Sequence, residues 1–302
     1  MLYNIQDGKL KVIKQTGFKV EKQLQKFVED NMKELLGITF LDTEFIIDEH
    51  HRVDSVGFDD DTNSFVLIED KNVRDKGLVD QGFSYLAALL DRKEKFVLLY
   101  NKVYSTSKQA DWFDWSQTRI IFISPEFNDH QIDSTSFQDL PFYLYRLEKY
   151  GDVVSFSRVD SKKRNLTYKD KFTTKSKDPQ GILQEIDPYS EERVFPPEKP
   201  TSEIYYRLKE HLSNLGSFDI VPLKDAVSYK IGINRFVNIC PMKNFLSVRI
   251  NDPEGGIDDP YKLCHNIRSR AWGRLAWDIK VTSDTDMDKV FLLVKQSYED
   301  LI

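Results

Sequence analysis

Three charged side chains, Asp54, Glu69 and Lys71, lie on or directly after two apolar runs that form a hairpin-like stretch. Asp54 lies in a first apolar run, and Glu69 and Lys71 end a second run that follows an Asn- and Asp-rich turn. Residues two apart on a strand point to the same face, so we expect Glu69 and Lys71 to lie side by side. Charges in apolar surroundings are costly unless they pair or hold a metal ion. This stretch is therefore the first candidate for a chemical site.

Two carboxylates beside a lysine suit the hydrolysis of a phosphodiester. Hard cations prefer carboxylate oxygens, and they activate water and neutralise the charge of the transition state. We predict that Asp54 and Glu69 bind Mg²⁺ or Mn²⁺, and that Lys71 stabilises the developing charge or positions the water. The simpler alternative is a buried ion-pair cluster without chemistry, which often stabilises a fold no better than apolar residues would.

A helix predicted over residues 80–90 adds two polar side chains to this set. Gln81 and Tyr85 are four residues apart, so they stack on one face of that helix. Asp54, then Glu69-x-Lys71, then Gln81-x-x-x-Tyr85 together resemble the PD-(D/E)xK nuclease superfamily with the extra motif of its RecB-like branch. The specificity lies in the order of the three motifs, because Glu-x-Lys alone is common in charged chains.

The resemblance implies an α/β protein with a restriction-endonuclease-like αβββαβ core that cleaves nucleic acid, with DNA as the expected substrate. It also implies that Gln81 and Tyr85 contact the substrate or orient Lys71 and the metal. The backbone carbonyl of Asp70 is then the third metal ligand, and Glu21 in an upstream helix is a candidate fourth. An acid at the start of a helix also complements the helix dipole, so both interpretations of Glu21 stay open.

Two functions from different classes follow from these motifs. The first is a metal-dependent nuclease, and the second is a catalytically silent nuclease-fold protein that binds nucleic acid or a protein partner. The presence of Asp54, Glu69 and Lys71 together favours the first, because silent relatives commonly lose one of them. A homodimer is left open, since a concerted cut of both DNA strands needs two active sites. The sequence does not distinguish DNA from RNA.

The elements that must position the motifs are predicted from apolar periodicity. The adjacent His50 and His51 favour a solvated turn over a metal site, because neighbouring side chains point apart. The predicted elements before residue 160 are a strand or two in 1–20, a helix at 21–36, strands at 44–48, 95–100 and 119–124, and closing strands at 142–150 and 153–159.

The 302-residue chain is long enough for two domains. We predict a nuclease-like domain at 1–158, a basic, proline-containing linker at 159–200 and an α+β module at 201–302. The linker suits either a solvated tether or a basic strap along a nucleic-acid backbone. The basic residues of the stretch from Arg158 to Lys177 are Arg158, Lys162, Lys163, Arg164, Lys169, Lys171, Lys175 and Lys177.

The last hundred or so residues form a separate α/β pattern. Its layout runs from a strand at Tyr229-Lys230 through Asp259-Pro260 to Lys295-Gln296-Ser297-Tyr298. This layout resembles that of a small module found in proteins labelled as predicted transport proteins, although no membrane segment or carrier motif supports transport. The predicted elements are a helix starting at Ser202, three strands in a meander at 225–231, 236–240 and 245–250, a helix from Asp259 to about Ser269, a strand at 274–281 and a helix at 285–298.

The composition is ordinary for a soluble protein, with 40% hydrophobic and 30% charged residues. We see no signal peptide and no apolar run long enough to span a membrane, so we expect a cytoplasmic protein. The net charge of -6 counts mildly against a nucleic-acid partner, although net charge hides local patches. Cys240 and Cys264 lack metal-ligand spacing and are expected to be reduced, buried thiols.

Overall fold

The computed structural model describes residues 2–71, 77–134, 140–159, 189–251, 256–267 and 275–302. The chain divides into two compact units, Met1–Pro188 and Tyr189–Ile302. The basic residues predicted to form a tether or strap, apart from Arg158, lie outside the described residues. Within those ranges, every helix is too short or too polar to cross a bilayer.

The first unit contains an N-terminal hairpin followed by the α/β body. Its elements are β1 (Leu2–Gln6), β2 (Lys9–Ile13), α1 (Glu21–Asp30), α2 (Met32–Leu36), β3 (Thr39–Ile46), β4 (Arg52–Asp59), β5 (Ser64–Asp70), α3 (Leu78–Asp91), α4 (Lys93–Tyr104), β6 (Arg119–Ser124), α5 (Asp129–Ser134), β7 (Phe142–Tyr150) and β8 (Val153–Val159).

The body of this unit is a mixed six-stranded sheet with helices on both faces. The strand order is β3-β4-β5-β6-β7-β8. β5 pairs in parallel with β6 and β6 with β7, and the other neighbours are antiparallel. The chain order α1, β3, β4, β5, α3, β6 confirms the predicted αβββαβ core and the α/β class.

β5 lies in the middle of the sheet, where helices cover both faces, and its side chains are therefore apolar on both faces over most of its length. Phe65 and Leu67 pack into the core that also contains side chains of α3 and α4. Val66 and Ile68 point the other way, into a core shared with α1 and α2. Every residue of β5 is buried, so the charged residues that end the strand emerge from the centre of the unit.

The predicted strand at 95–100 is wrong, because this segment lies within helix α4. Phe96, Leu99 and Tyr100 are buried at the i, i+3, i+4 spacing of a helix, whereas Leu98 is 67% exposed. A run of six apolar residues does not distinguish a strand from a helix by itself, and packing against the sheet decides. The predicted helix at 21–36 is interrupted at Asn31, which separates α1 from α2.

The second unit is a smaller α+β domain, as predicted. Its elements are α6 (Glu191–Val194), α7 (Pro200–Leu212), β9 (Asp219–Pro222), β10 (Val227–Ile231), β11 (Asn234–Pro241), β12 (Leu246–Asn251), β13 (Cys264–Asn266), β14 (Leu275–Val281) and α8 (Met287–Glu299). The strands form one antiparallel sheet in the order β13-β14-β12-β11-β10-β9. This arrangement contains the predicted meander, as β10, β11 and β12.

The helix predicted from Asp259 to about Ser269 is wrong over its described part. The Asp259 carboxylate accepts the backbone N–H groups of Tyr261 and Cys264, and Lys262 has a positive φ of 57°. A left-handed residue stops helix growth. The chain then forms β13 on the edge of the sheet, pairing with β14. Both cysteines are free thiols; Cys240 is buried, but Cys264 is partly exposed rather than buried as predicted.

The second unit begins before the predicted boundary at Thr201. Val194 and Phe195, placed by the sequence in the linker, are 5% and 0% exposed and belong to the core of this unit. The ring of Phe195 stacks on that of Tyr205 with centroids 3.9 Å apart. Lys209 Nζ lies 2.7 Å from Glu191 Oε2, which ties α6 to α7. Residues 189–200 are therefore structural parts of the second unit.

This packing predicts how the second unit behaves when produced alone. A fragment that starts at Tyr189 is expected to unfold cooperatively, and a fragment that starts at Thr201 to be less stable by roughly 3 kcal/mol, because it lacks Phe195. Urea unfolding followed by tryptophan fluorescence measures both. The longer fragment carrying Phe195→Ala is the matched control and should resemble the shorter one. Equal stability of the two fragments would contradict the assignment of residues 189–200.

Candidate active site

The predicted site residues come together where β4 and β5 meet helix α3. Asp54 lies near the start of β4, and Glu69 lies at the end of the neighbouring antiparallel strand β5. The Asp54 carboxylate accepts the backbone N–H of Asp70 at 2.9 Å, so it bridges directly to the end of β5. Lys71 follows β5, and its backbone N–H donates to Ile123 O at 2.8 Å. The parallel neighbour β6 therefore holds the chain extended one residue beyond Asp70.

Glu69 is the centre of the hydrogen-bond network. Its Oε1 accepts hydrogen bonds from Lys71 Nζ at 2.7 Å and from Gln81 Nε2 at 3.0 Å. The side chain of Glu69 is 3% exposed and that of Lys71 is 17% exposed. The structure thus brings Glu69, Lys71 and Gln81 together around one oxygen atom, in a place that water reaches poorly.

Tyr85 braces this network from the side of helix α3. Gln81 Nε2 is also 3.1 Å from the Tyr85 hydroxyl, which in turn donates to Arg52 O at 2.9 Å. Arg52 is the first residue of β4, two positions before Asp54. One turn of α3 therefore connects the strand that carries Asp54 with the carboxylate of Glu69, as the i, i+4 spacing of Gln81 and Tyr85 requires.

Burial raises the pKa values of the carboxyl groups at this site. Burial and then the charge of Asp54 raise the pKa of Glu69 from 4.5 to about 7, against the opposing effect of Lys71. The pKa of Asp54 is also raised by burial, against the N–H of Asp70 and the charge of Lys71. Burial raises the pKa of Asp70 well above its usual value, and the charges of Asp54 and Glu69 add to this. Pairs of acids with raised pKa values are typical of catalytic sites.

Lys71 is held in its charged form. Burial lowers the pKa of Lys71, but its hydrogen bond to Glu69 and the charges of Glu69 and Asp54 outweigh burial, so the pKa is raised overall. The pKa of Tyr85 is raised by burial and by the charge of Glu69. At neutral pH the site therefore contains the charged ammonium group of Lys71 and the neutral phenol of Tyr85. The carboxyl groups of Glu69 and Asp54 both interact with the charge of that ammonium group.

A divalent cation would fit the free donor atom of this site. Glu69 Oε2 is buried and has no hydrogen-bond partner among the described residues. Both carboxylate oxygens of Asp70 are also without a partner there, but Asp70 directly follows Glu69 on β5, so its side chain leaves the opposite face of the sheet. An unpaired buried oxygen is costly, and a hard cation is a natural partner for it. Asp54 and Glu69 would hold the ion. Across the described ranges no three His, Cys, Asp or Glu side chains already converge as a metal cage, so the remaining ligands would be other oxygens.

Glu21 is the first residue of α1 and is exposed. It lies three and seven residues before the buried Leu24 and Val28, so it is on the same face of the helix, at its N-terminal end. Its charge nevertheless acts on Asp54, Asp70 and Lys71. Its role as a ligand or as a helix-dipole partner stays a prediction, as does the role of the Asp70 carbonyl.

Gln25 is a supporting residue that the sequence analysis missed. It is 3% exposed on α1, and its Nε2 donates to Asp54 O at 2.9 Å and to Glu29 Oε1 at 2.9 Å. Glu29 Oε1 also accepts the hydroxyl of Ser55 at 2.8 Å. An amide beside Leu24 on the apolar face of a helix was the available signal, because buried polar groups require partners.

The two adjacent histidines have different environments. His50 is exposed, in agreement with a solvated turn. His51 is partly buried, and its ring lies between Asp48 and Ser84 of helix α3. Its ring centroid is 6.0 Å from that of Tyr85. The sequence identified the turn but not this contact, because Ser84 is distant in the chain.

The fold and the site together define a mixed α/β protein with a restriction-endonuclease-like core and a carboxylate–lysine cluster at the end of its central strand. No protein-family model matches the chain. An uncharacterized protein of Haemophilus influenzae is 31% identical over 303 residues, which cover 99% of this chain and 99% of that protein. This chain belongs to the same family as that protein.

One solved structure, that of a complex of EndoMS with double-stranded DNA, shows a limited similarity to this chain. The identity is 15% and the TM-score is 0.24, over 45% of this chain and 48% of that one. A superposition of this quality carries no information about the chemistry of the site. The assignment of the fold therefore rests on the strand order and connectivity given above.

Proposed function

We propose that the protein is a metal-dependent nuclease that hydrolyses phosphodiester bonds, with DNA as its substrate. The observation that carries this proposal is the arrangement at Glu69. Its Oε1 is 2.7 Å from Lys71 Nζ, and its Oε2 has no hydrogen-bond partner among the described residues. A second acid, Asp54, lies at the same site. A purely structural ion pair has no need for an unpaired buried oxygen and a second acid.

Each protein group would have a distinct part in the reaction. Mg²⁺ or Mn²⁺ bound by Asp54 and Glu69 would supply Lewis-acid stabilisation and lower the pKa of the attacking water. Lys71 would offset the negative charge that develops on the phosphate in the transition state. Gln81 would hold Glu69 in place, and Tyr85 would hold Gln81, so that the carboxylate does not need to reorganise during the reaction.

The raised pKa of Glu69 has a consequence for how the reaction depends on pH. A carboxyl group with a pKa of about 7 is half protonated at neutral pH, and a cation competes with that proton. We therefore expect the affinity for Mn²⁺ and the rate of cleavage to rise between about pH 6 and pH 8. An isothermal titration at several pH values should show that Mn²⁺ binding releases protons.

The proposal is tested by incubating the full chain with single-stranded and double-stranded DNA and with RNA, with Mg²⁺, Mn²⁺ or a chelator. Cleavage is expected with the metals and not with the chelator, and it should be lost in Asp54→Ala. Binding of Mn²⁺ by calorimetry is measured in parallel. If the wild-type protein binds no divalent metal at about millimolar concentration, even with nucleic acid present, the protein is a silent nuclease-fold binder instead.

A further inference from the structure

The turn between β3 and β4 holds helix α3 through a chain of three side chains. Asp48 Oδ1 lies 2.7 Å from His51 Nδ1, and His51 Nε2 lies 2.7 Å from Ser84 Oγ. Asp48 Oδ1 also accepts the backbone N–H groups of His50 at 2.8 Å and of His51 at 2.9 Å. The imidazole is therefore oriented from behind by a carboxylate that the turn itself fixes.

The order Asp, His, Ser is that of a hydrolase triad, but the position of Ser84 excludes this chemistry. Ser84 lies in the interior of α3, where the backbone N–H groups are engaged within the helix. Those groups cannot form an oxyanion hole, which a serine nucleophile requires. The Ser84 hydroxyl is consequently an anchor for the imidazole rather than a nucleophile.

The anchor lies next to the residues that brace the proposed active site. Ser84 directly precedes Tyr85, whose hydroxyl donates to Arg52 O, and Arg52 directly follows His51. The turn thus holds α3 at two successive residues. Gln81, one turn earlier on the same helix, reaches Glu69 Oε1 at 3.0 Å. A shift of α3 along or about its axis would move the Gln81 amide away from Glu69.

We propose that Asp48, His51 and Ser84 are positioning residues that set α3 so that Gln81 holds Glu69 in its reactive place. This inference rests on the nuclease function proposed above and adds residues that lie outside its motifs. Among the described contacts, the side chains of Asp48, His51 and Ser84 reach neither Asp54 nor Glu69, the proposed metal ligands. Their effect would pass through the helix, and would act on turnover more than on substrate binding.

Ser84→Ala separates positioning from general stabilisation. Alanine favours a helix more than serine does, so the variant should fold at least as well as the wild type apart from one lost surface hydrogen bond. Cleavage kinetics are expected to show kcat lowered roughly 10- to 100-fold, with KM within about twofold of the wild-type value. Ser84→Thr keeps the hydroxyl and should restore most of the activity.

His51→Ala should match Ser84→Ala, and His50→Ala is the matched control, because His50 is an exposed neighbour on the same turn. Nitrogen NMR of the histidine rings gives a second measurement that does not depend on activity. The neutral His51 ring should carry its proton on Nδ1, facing Asp48, and Asp48→Ala, which removes the acceptor, should abolish this preference. The signal is assigned by its loss in His51→Ala.

The outcomes distinguish this inference from the proposed function. Lowered kcat in Ser84→Ala and His51→Ala, with unchanged melting temperatures and a wild-type rate for His50→Ala, supports the inference. Wild-type kinetics in Ser84→Ala, from an enzyme that cleaves normally, overturn it and leave the nuclease function intact. A wild-type ring that carries its proton on Nε2 also overturns it. If the wild-type protein cleaves nothing, the proposed function fails, and the inference fails with it.

Discussion

Lys71→Met is expected to lower the rate of cleavage by roughly 100- to 1,000-fold while Mn²⁺ binding is retained. Methionine keeps the unbranched stem of the side chain but removes the ammonium group that lies 2.7 Å from Glu69 Oε1. Under the proposed mechanism this charge matters mainly in the transition state, so its loss should appear in kcat. Asp54→Ala removes a metal ligand, and both binding and cleavage should fall together.

The comparison requires a pH at which Glu69 stays ionised. Lys71 lowers the pKa of Glu69, so the removal of Lys71 raises that pKa. At neutral pH more of Glu69 would then be protonated, and metal binding would weaken because of that proton rather than because of the lost ammonium group. Calorimetry at about pH 8.5 reduces this effect. Lys33→Met, which changes an exposed lysine of helix α2, is the control and should cleave like the wild type. Full activity in Lys71→Met would remove the lysine from the mechanism.

Glu69→Gln is expected to abolish cleavage and yet to stabilise the folded protein at pH 8. Folding raises the pKa of Glu69 from 4.5 to about 7, so the folded state favours the neutral carboxyl. The stability contributed by the neutral Glu69 carboxyl is fully present below its pKa in the unfolded chain, 4.5, and is lost as the pH rises through its pKa in the folded protein, about 7. Glutamine is neutral throughout and avoids this loss. Its amide oxygen can still accept the hydrogen bonds from Lys71 and Gln81.

The size and pH dependence of this effect identify its cause. The gain at pH 8 is at most about 3 kcal/mol, and at pH 4 it should be close to zero. Urea unfolding at both pH values measures the difference in the free energy of unfolding. Glu34→Gln, at an exposed position of α2, is the control and should show no such pH dependence. An equal change at both pH values would mean that lost packing or hydrogen bonding, rather than charge burial, dominates.

These two variants together describe a site that is costly for the fold. A carboxylate with a raised pKa, an unpaired oxygen and a neighbouring acid each reduce stability, and each is useful only if the site binds something. If Glu69→Gln is more stable but inactive, the cost is explained by function. The silent-scaffold alternative predicts no loss of activity in either variant, because there is none to lose.

Local sequence patterns were sufficient to predict the main features of the first unit. Alternation along a strand predicted that Glu69 and Lys71 share a face, and the spacing of Gln81 and Tyr85 predicted their contact. The hairpin at Asp54 was equally clear, because two apolar runs flank a turn rich in Asn and Asp. Such features depend on residues close in the chain, so they can be derived without coordinates.

The tertiary structure decided everything that depends on distant partners. Residues 95–100 are helical because Phe96 and Tyr100 find a core, and a short apolar run carries no such information. β13 exists because β14 offers an edge to pair with, which residues 259–267 do not reveal. The raised pKa of Glu69 follows from burial at the centre of the sheet, and the contact of His51 with Ser84 follows from how α3 packs on the turn. Sequence alone determined which residues could do chemistry; packing determined how they are held.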